Sequence, residues 1–369
     1  MTERRPRIAV DVRPLAHKFN GIQTYTSELI KRLVRDDSFH WYLYSDQPFD
    51  EDVTSSAVVI RCQNNRSRMR SSFVAQSAFP RWCSRDKCEL FWSPRHQLPF
   101  GLARQTKTVV TIHDLVFKTH PQTMTLAGRW LERLITPYSI NRADVVLTTS
   151  KAVERELHDR FPRSRGKIAV TQLAGARTIA SPPVTETRPG PPYFVVCGSL
   201  EPRKNLDRLI QAFVDLKQSS NPPPHKLLVI TGGGWRDAQT RESIRRHADF
   251  IELHERIPEL EKNRILQQAD FLALPSLYEG FGIPLVEAMQ LGLPVLASRA
   301  GAIAEVAGDA ATYVTPTDIG SIRAGLNRMF CDEQMRASLA QAAIQRGRLF
   351  TWEKTAAQTL EALKALAVR

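Results

Sequence analysis

The chain has 369 residues, 42% of them hydrophobic and 24% charged, with a net charge of +13. It is too long for one compact core and points to two globular domains, while no apolar run approaches the roughly 18 residues of a membrane span. The start, Met1–Val10, passes from charges into a short apolar segment without a signal-peptide core, and the five cysteines (Cys62, Cys83, Cys88, Cys197, Cys331) are scattered without a Cys-x-x-Cys pair. Neither a disulfide framework nor a structural zinc site is suggested, and a cytoplasmic location is expected.

From the N-terminus, Arg7–Val12 reads as a strand and Ile22–Val34 as a helix with Ile22, Tyr25, Leu29, Ile30 and Leu33 on one face. Strands follow at His40–Tyr44, Ala57–Ile60, Glu89–Trp92, Thr108–Ile112, Asp144–Thr149 and Lys167–Val170, and helices at Met69–Trp82, Met124–Asn141 and Lys151–Phe161. This alternation is that of a parallel sheet covered by helices, and it predicts a first doubly wound domain over residues 1–180. Residues 181–192 hold five prolines and a glycine and read as a linker.

The alternation restarts at 193. Strands are predicted at Tyr193–Cys197, Lys226–Thr231, Phe250–Leu253, Asp270–Leu274 and Pro294–Ala297, and helices at Asn205–Lys217, Arg236–His247, Glu259–Gln268 and Ile283–Leu291. From about Ile319 three helical segments follow, separated near Asp332 and Phe350. The second domain is placed at 193–350, with residues 351–369 as a helix returning to the first domain. Two Rossmann-like α/β domains with an interdomain cleft are the expected architecture, and open parallel sheets bind ligands at the carboxyl ends of their strands.

The densest chemical signal is Pro275–Glu287, which follows an apolar strand and opens a helix at Ile283. Glu279 and Glu287 bracket a Gly280-Phe281-Gly282 turn, where glycines let the main chain approach a ligand and helix N–H groups favour hydroxyls or phosphate. Both carboxylates could face one cleft. Taken alone, the segment reads more readily as a tight strand-to-helix turn with Glu287 as a solvated helix residue. Arg203 and Lys204 follow a strand and precede a helix, where cations oppose the helix dipole but would suit a diphosphate. His113-Asp114 stands at the end of strand Thr108–Ile112; a lone histidine there is more often structural than catalytic. The Thr231-Gly-Gly-Gly234 run lacks a complete GxGxxG and reads as a strand-ending turn.

Together these segments resemble glycosyltransferase family 4, the retaining enzymes of the GT-B fold. Glu279 to Glu287 matches the family's E-x7-E signature. Gly198–Leu206, Gly292–Val295, Glu305–Gly308 and Phe350–Trp352 stand in its order, and Asp11–Arg13, Asn20–Tyr25, Thr111–Asp114 and Thr149–Lys151 resemble its bacterial mannosyl- and rhamnosyltransferases. The resemblance implies that Arg203 and Lys204 hold the donor diphosphate and stabilise the leaving group. It places Asn20 and Gly21 at the same phosphates from the other domain, His113 near the anomeric carbon, Glu279 on sugar hydroxyls and Glu287 on the ribose. Asp114, Gly280, Phe281, Gly282 and Ile283 complete the donor-binding set. One departure is His254, which stands where the family leads one to expect a glycine near the nucleotide base.

The implied reaction is retaining transfer of a hexose, mannose from GDP-mannose or a related deoxyhexose, to a lipid-linked or polysaccharide acceptor of a surface glycan. The donor is a nucleotide sugar, with no cofactor and no metal, because the two cations take the neutralising role. A nucleotide-sugar epimerase or a phosphorylase on the same scaffold, and a basic nucleic-acid-binding protein, are the alternatives; none accounts for Glu279, Glu287, Arg203 and Lys204 together, and nucleic acid is not the expected partner.

The positive charge is concentrated in residues 1–190, with 30 basic and 18 acidic residues, or +12, against +1 for the rest. Between Arg61 and Lys87 seven basic residues interleave with Met69, Phe73, Val74, Phe79 and Trp82. The segment reads either as a surface peripheral to an anionic inner membrane leaflet or as a core helix with a solvated basic flank.

Overall fold

The computed structural model describes residues 4–16, 21–49, 58–63, 68–175, 190–233 and 238–368. The chain divides into two compact units, Met1–Leu173 with Trp352–Arg369, and Ala174–Thr351. Among the described residues no helix is long and apolar enough to cross a membrane.

The first unit runs β1 (Arg7–Asp11), α1 (Gly21–Leu33), β2 (His40–Ser45), β3 (Val58–Cys62), α2 (Arg68–Arg85), β4 (Leu90–Ser93), β5 (Lys107–Ile112), α3 (Val116–Thr119), α4 (Leu126–Arg142), β6 (Val145–Thr148), α5 (Lys151–Arg160) and β7 (Ile168–Val170). Its seven strands are parallel in the order β3-β2-β1-β4-β5-β6-β7. Central strands are buried nearly throughout, as a sheet covered on both faces requires: all four residues of β4 and five of six in β5 are buried. Around them Phe79, Phe91, Ile112, Phe117 and Ile140 form one core.

The second unit runs β8 (Tyr193–Cys197), α6 (Leu206–Lys217), β9 (Lys226–Thr231), α7 (Ala238–Arg246), β10 (Ile251–Glu255), α8 (Glu259–Gln268), β11 (Leu272–Leu274), α9 (Ile283–Gln290), β12 (Val295–Ser298), α10 (Ile303–Ala307), β13 (Ala311–Val314), α11 (Ile319–Cys331) and α12 (Glu333–Gly347). Its six parallel strands take the order β10-β9-β8-β11-β12-β13. Leu206, Leu209, Ile210 and Phe213 of α6 recur on one face, and Phe213 meets Phe194 edge-on at 4.9 Å, with Phe271 stacked on Phe194 at 5.0 Å. The last helix, α13 (Trp352–Ala367), belongs to the first unit, where Arg32 pairs with Glu353 at 2.8 Å and Asp36 with Lys364 at 3.1 Å.

Both sheets reverse direction once. In the first, the chain leaves β1 toward β2 and β3 and returns on its other side at β4; in the second, the reversal lies between β8 and β11. These switch points open a crevice at the carboxyl ends of adjacent strands.

The sequence pattern missed strand β13 and the short helices α3 and α10, because segments of four or five residues such as Ala311-Thr-Tyr-Val314 are too short to display a period. Helix α6 starts one residue later than predicted, since Asn205 adopts a left-handed conformation at φ 61°. Its Nδ2 donates to the carbonyls of Pro275 at 2.9 Å and Pro316 at 2.6 Å, so the residue ties the turn before α6 to the loop after β11. Most of the predicted linker, residues 181–189, lies outside the described residues, as do Ala57, Gly234 and Arg236. Replacing Asn205 by Ala orphans two carbonyls and puts a Cβ-bearing residue without local hydrogen bonding at positive φ. Asn205→Ala should cost about 2–4 kcal/mol of stability, read from urea unfolding.

Candidate functional site

In the second unit, the loops after β8 and β11 meet at the switch point. The main chain leaves β8 through Gly198, whose φ is 151° and where a Cβ would come within 3.2 Å of Lys204 Cε. The chain then turns through Pro202–Lys204 and brings both cations onto Glu279. Lys204 Nζ lies 2.6 Å from Glu279 Oε1, and Arg203 Nη1 lies 3.0 Å from Oε2. Ser276 Oγ donates to Oε1 at 2.8 Å, and Arg203 Nε is held by Glu201 at 2.6 Å. The Leu277 N–H donates to the Arg203 carbonyl at 2.7 Å, locking the two loops together.

Glu279 is 4% exposed. Burial pushes its carboxyl up, but Lys204, Arg203 and Ser276 outweigh burial and hold it down, at about 2. Its backbone is fixed as well. The Ala302 N–H donates to the Glu279 carbonyl at 2.9 Å, and a Cβ on Gly301, at φ 58°, would fall 2.2 Å from that oxygen. Only glycine lets the β12–α10 turn pass so close.

Gly282, at φ 97°, starts α9, which carries Glu287 in its second turn. Glu287 is buried and pairs with Lys262 of α8 at 2.9 Å; Lys262 also meets Glu259 at 2.7 Å. Burial lowers the Lys262 ammonium, yet the two carboxylates raise it above its ordinary value. The two signature glutamates therefore sit in separate ion clusters, one around Arg203 and Lys204 and the other around Lys262, and no described ion pair joins the clusters. The side chain of Phe281 is buried and meets Phe350 edge-on at 5.7 Å, so it is a packing residue. His254 stands on β10, 3.5 Å from Glu252.

In the first unit, His113 follows β5. Its Nε2–H donates to the Pro94 carbonyl at 2.8 Å, which leaves Nδ1 as an acceptor, and the Tyr25 ring stands edge-on to it at 4.8 Å. Burial, then the neighbouring His96, lowers the imidazole to about 4, so it is neutral at pH 7. His96 Nε2 accepts the His113 backbone N–H at 3.0 Å, and its Nδ1 faces Glu132 at 3.3 Å. Asp114 accepts locally from the Val116 N–H at 3.1 Å. Gly21 opens α1, exposed, while Asn20 lies outside the described residues. Asp11, the last residue of β1, and Arg13 just beyond it form a buried bidentate pair at 2.8 and 2.6 Å.

Sequence reasoning missed Lys262, Gly301, His96 and Glu132. Only His96 carried a usable signal, its place just past the buried strand Leu90–Ser93. Within the interleaved segment from Arg61 to Lys87, of which residues 64–67 lie outside the described residues, α2 packs as a core helix: Val74 and Phe79 are buried and Trp82 packs on Tyr44 and Phe79, while Arg61 of β3 is held by Asp86 at 2.5 Å. Of its aromatics, Phe73 is the exposed one.

Residues 19–172 match the model of "Glycosyltransferase Family 4", and residues 179–346 match that of "Glycosyl transferases group 1". The chain belongs to these glycosyltransferases. Among its relatives, the O-antigen chain mannosyltransferase B of Escherichia coli is 27% identical, over 98% of this chain and 100% of the relative. The MMP alpha-(1->4)-mannosyltransferase of Mycolicibacterium hassiacum is 32% identical over 43% of this chain and 36% of its own length. The solved sucrose-phosphate synthase of Thermosynechococcus elongatus shares the fold, with a TM-score of 0.77 at 19% identity over 99% of this chain and 100% of that one. The glycosyltransferase has the two Rossmann-like domains of the GT-B class.

Two predictions follow from the buried charges. Gly301→Ala removes no charged group but displaces the Glu279 backbone, and should weaken nucleotide-sugar binding at least tenfold by calorimetry. For pH, the His113 value lies below the ordinary 6.5 and that of Glu279 below 4.5. Each group thus adds stability above its ordinary value and loses it as pH falls, His113 between 6.5 and about 4, Glu279 between 4.5 and about 2. Urea midpoints measured against pH should lose the upper slope in His113→Asn and the lower one in Glu279→Gln.

Proposed function

We propose that this glycosyltransferase moves mannose from GDP-mannose to a growing surface glycan, lipid-linked or polysaccharide, with retention at the anomeric carbon. The observation that carries the reading is the Arg203–Glu279–Lys204 cluster at the carboxyl ends of adjacent strands. Two cations concentrated at one strand-end site suit a diphosphate, whose developing negative charge they offset. The mannosyl assignment draws support from the full-length Escherichia coli relative, whose name carries that sugar.

In this reading the bond from the anomeric carbon to the diphosphate oxygen breaks with its electron pair on the diphosphate. Arg203 and Lys204 stabilise that charge as it develops, in place of a metal. The acceptor hydroxyl bonds to the anomeric carbon on the same face, and its proton passes to the departing phosphate oxygen. Glu279 accepts from sugar hydroxyls through lone pairs that its cations leave over. Glu287, paired with Lys262, accepts from the ribose hydroxyls. His113, neutral at pH 7, offers Nδ1 as an acceptor to the donor sugar and takes no proton in the reaction.

Calorimetry with GDP, UDP, ADP and dTDP and their sugar conjugates tests the donor; selective binding of GDP and GDP-mannose is expected, and binding of another nucleotide alone would replace mannose in the reading. Lys204→Ala and Glu279→Ala should each lower turnover a hundredfold or more in folded protein. Turnover should survive chelation by EDTA, and the anomeric proton coupling in the product should report retention.

A further inference from the structure

Helix α4 carries its apolar residues on two sides. Ile135, Ser139 and Ile140 are buried inward, while Leu126, Trp130 and Leu134, four residues apart, are 74%, 63% and 69% exposed. Leu131 beside them is 40% exposed. A helix of a folded domain buries such a stripe when it has a partner within the chain.

The exposed band continues beyond α4. Tyr138, one turn past Leu134, packs on Phe100 with ring centroids 4.4 Å apart, and its hydroxyl donates to the Phe100 carbonyl. Phe100 is 52% exposed, and its N–H donates to Gln76 of α2, one turn from Phe73, which is 70% exposed. Leu126, Trp130, Leu134, Phe100 and Phe73 thus form one apolar tract within the first unit. Scattered exposed hydrophobics are ordinary on a soluble surface, but a connected tract of this size marks a contact surface.

Its electrostatics select the partner. Helix α2 contains no acidic residue, and α4 contains one, Glu132, which turns toward His96 and Thr136. Arg129 and Arg133 flank the exposed stripe, with the Arg133 guanidinium 6.0 Å from the Trp130 ring centroid. A second copy related by a two-fold axis would bring arginines against arginines with no carboxylate from either helix to meet them. A nucleic acid would satisfy the arginines and leave the leucines without an apolar partner. An anionic bilayer surface takes both, phosphates for the guanidinium groups and the acyl boundary for Leu, Trp and Phe.

We propose that the α4 band, with Phe100 and Phe73, seats the first unit on an anionic lipid surface. The basis lies apart from the sugar chemistry, and it moves the membrane-facing residues from the Arg61–Lys87 segment, whose aromatics are largely in the core, to the face built by α4.

Co-sedimentation of the full chain with vesicles of phosphatidylcholine, alone or mixed with phosphatidylglycerol, tests it at low and physiological salt. Wild-type protein should bind the anionic vesicles and bind the neutral ones at least tenfold more weakly. Leu126→Ser/Trp130→Ser/Leu134→Ser should lose binding by tenfold or more, and Arg129→Gln/Arg133→Gln should lose most of the preference for anionic lipid. Circular dichroism and nucleotide binding, which sense the fold and the donor site, should be unchanged in both variants. Failure of wild-type protein to bind anionic vesicles overturns the proposal, and so does full binding by the serine variant. A dimer in sedimentation equilibrium that the serine variant abolishes, without vesicle binding, would assign the band to a second copy.

Discussion

The second unit is organised around one electrostatic requirement: a carboxylate that is 4% exposed must be neutralised where it stands. Removing one partner of such a cluster leaves an uncompensated buried charge, so Arg203, Lys204 and Ser276 are fixed together with Glu279 rather than merely near it. The surrounding backbone conforms to that need. Gly198 makes space for the Lys204 chain, Gly301 lets another turn cross against the Glu279 carbonyl, and Asn205 bends sharply to pin one loop to the next. The β8–β11 reversal supplies the place, because only there do two neighbouring strands send their loops apart and leave room between them.

The first unit meets a similar demand by a different chemical route. Its site histidine is kept neutral rather than compensated, with burial and a second imidazole working in the same direction. Charge is instead held in a fixed pair, Asp11 with Arg13 at the carboxyl end of β1, while Nδ1 of His96 faces Glu132. One unit thus presents cations suited to a phosphate ester, and the other an uncharged hydrogen-bonding ring.

Much of this was legible in the sequence because buried parallel strands spell themselves as continuous apolar runs such as Tyr193–Cys197. The segment following each run is where a doubly wound sheet exposes its ligands. Arg203, Lys204, Glu279 and His113 were singled out there as candidates, and each stands after such a strand in the structure. What stayed hidden was non-local or lacked a period. Lys262 looks like any i, i+3 partner of Glu259 until α8 is packed beside α9, and Gly301 looks like an ordinary turn until its distance to Glu279 is known. The interleaved aromatics of Arg61–Lys87 could not be assigned a side, since basic residues occur on core and surface helices alike, and the Met124–Asn141 segment was read as a helix with no face assigned to its leucines.

Helix α13 has a consequence for how the molecule is made. Residues 174–351 form a continuous stretch, so the second unit has all of its parts as soon as Thr351 has left the ribosome. The first unit does not. Its sheet is translated first, yet the helix that pairs with Arg32 and Asp36 of α1 is more than 300 positions away in the chain, so that the earlier-synthesised unit is the later one to close. During that interval the surface of α1 destined for α13 is bare, and nascent chains stalled between the two units would present it to chaperones.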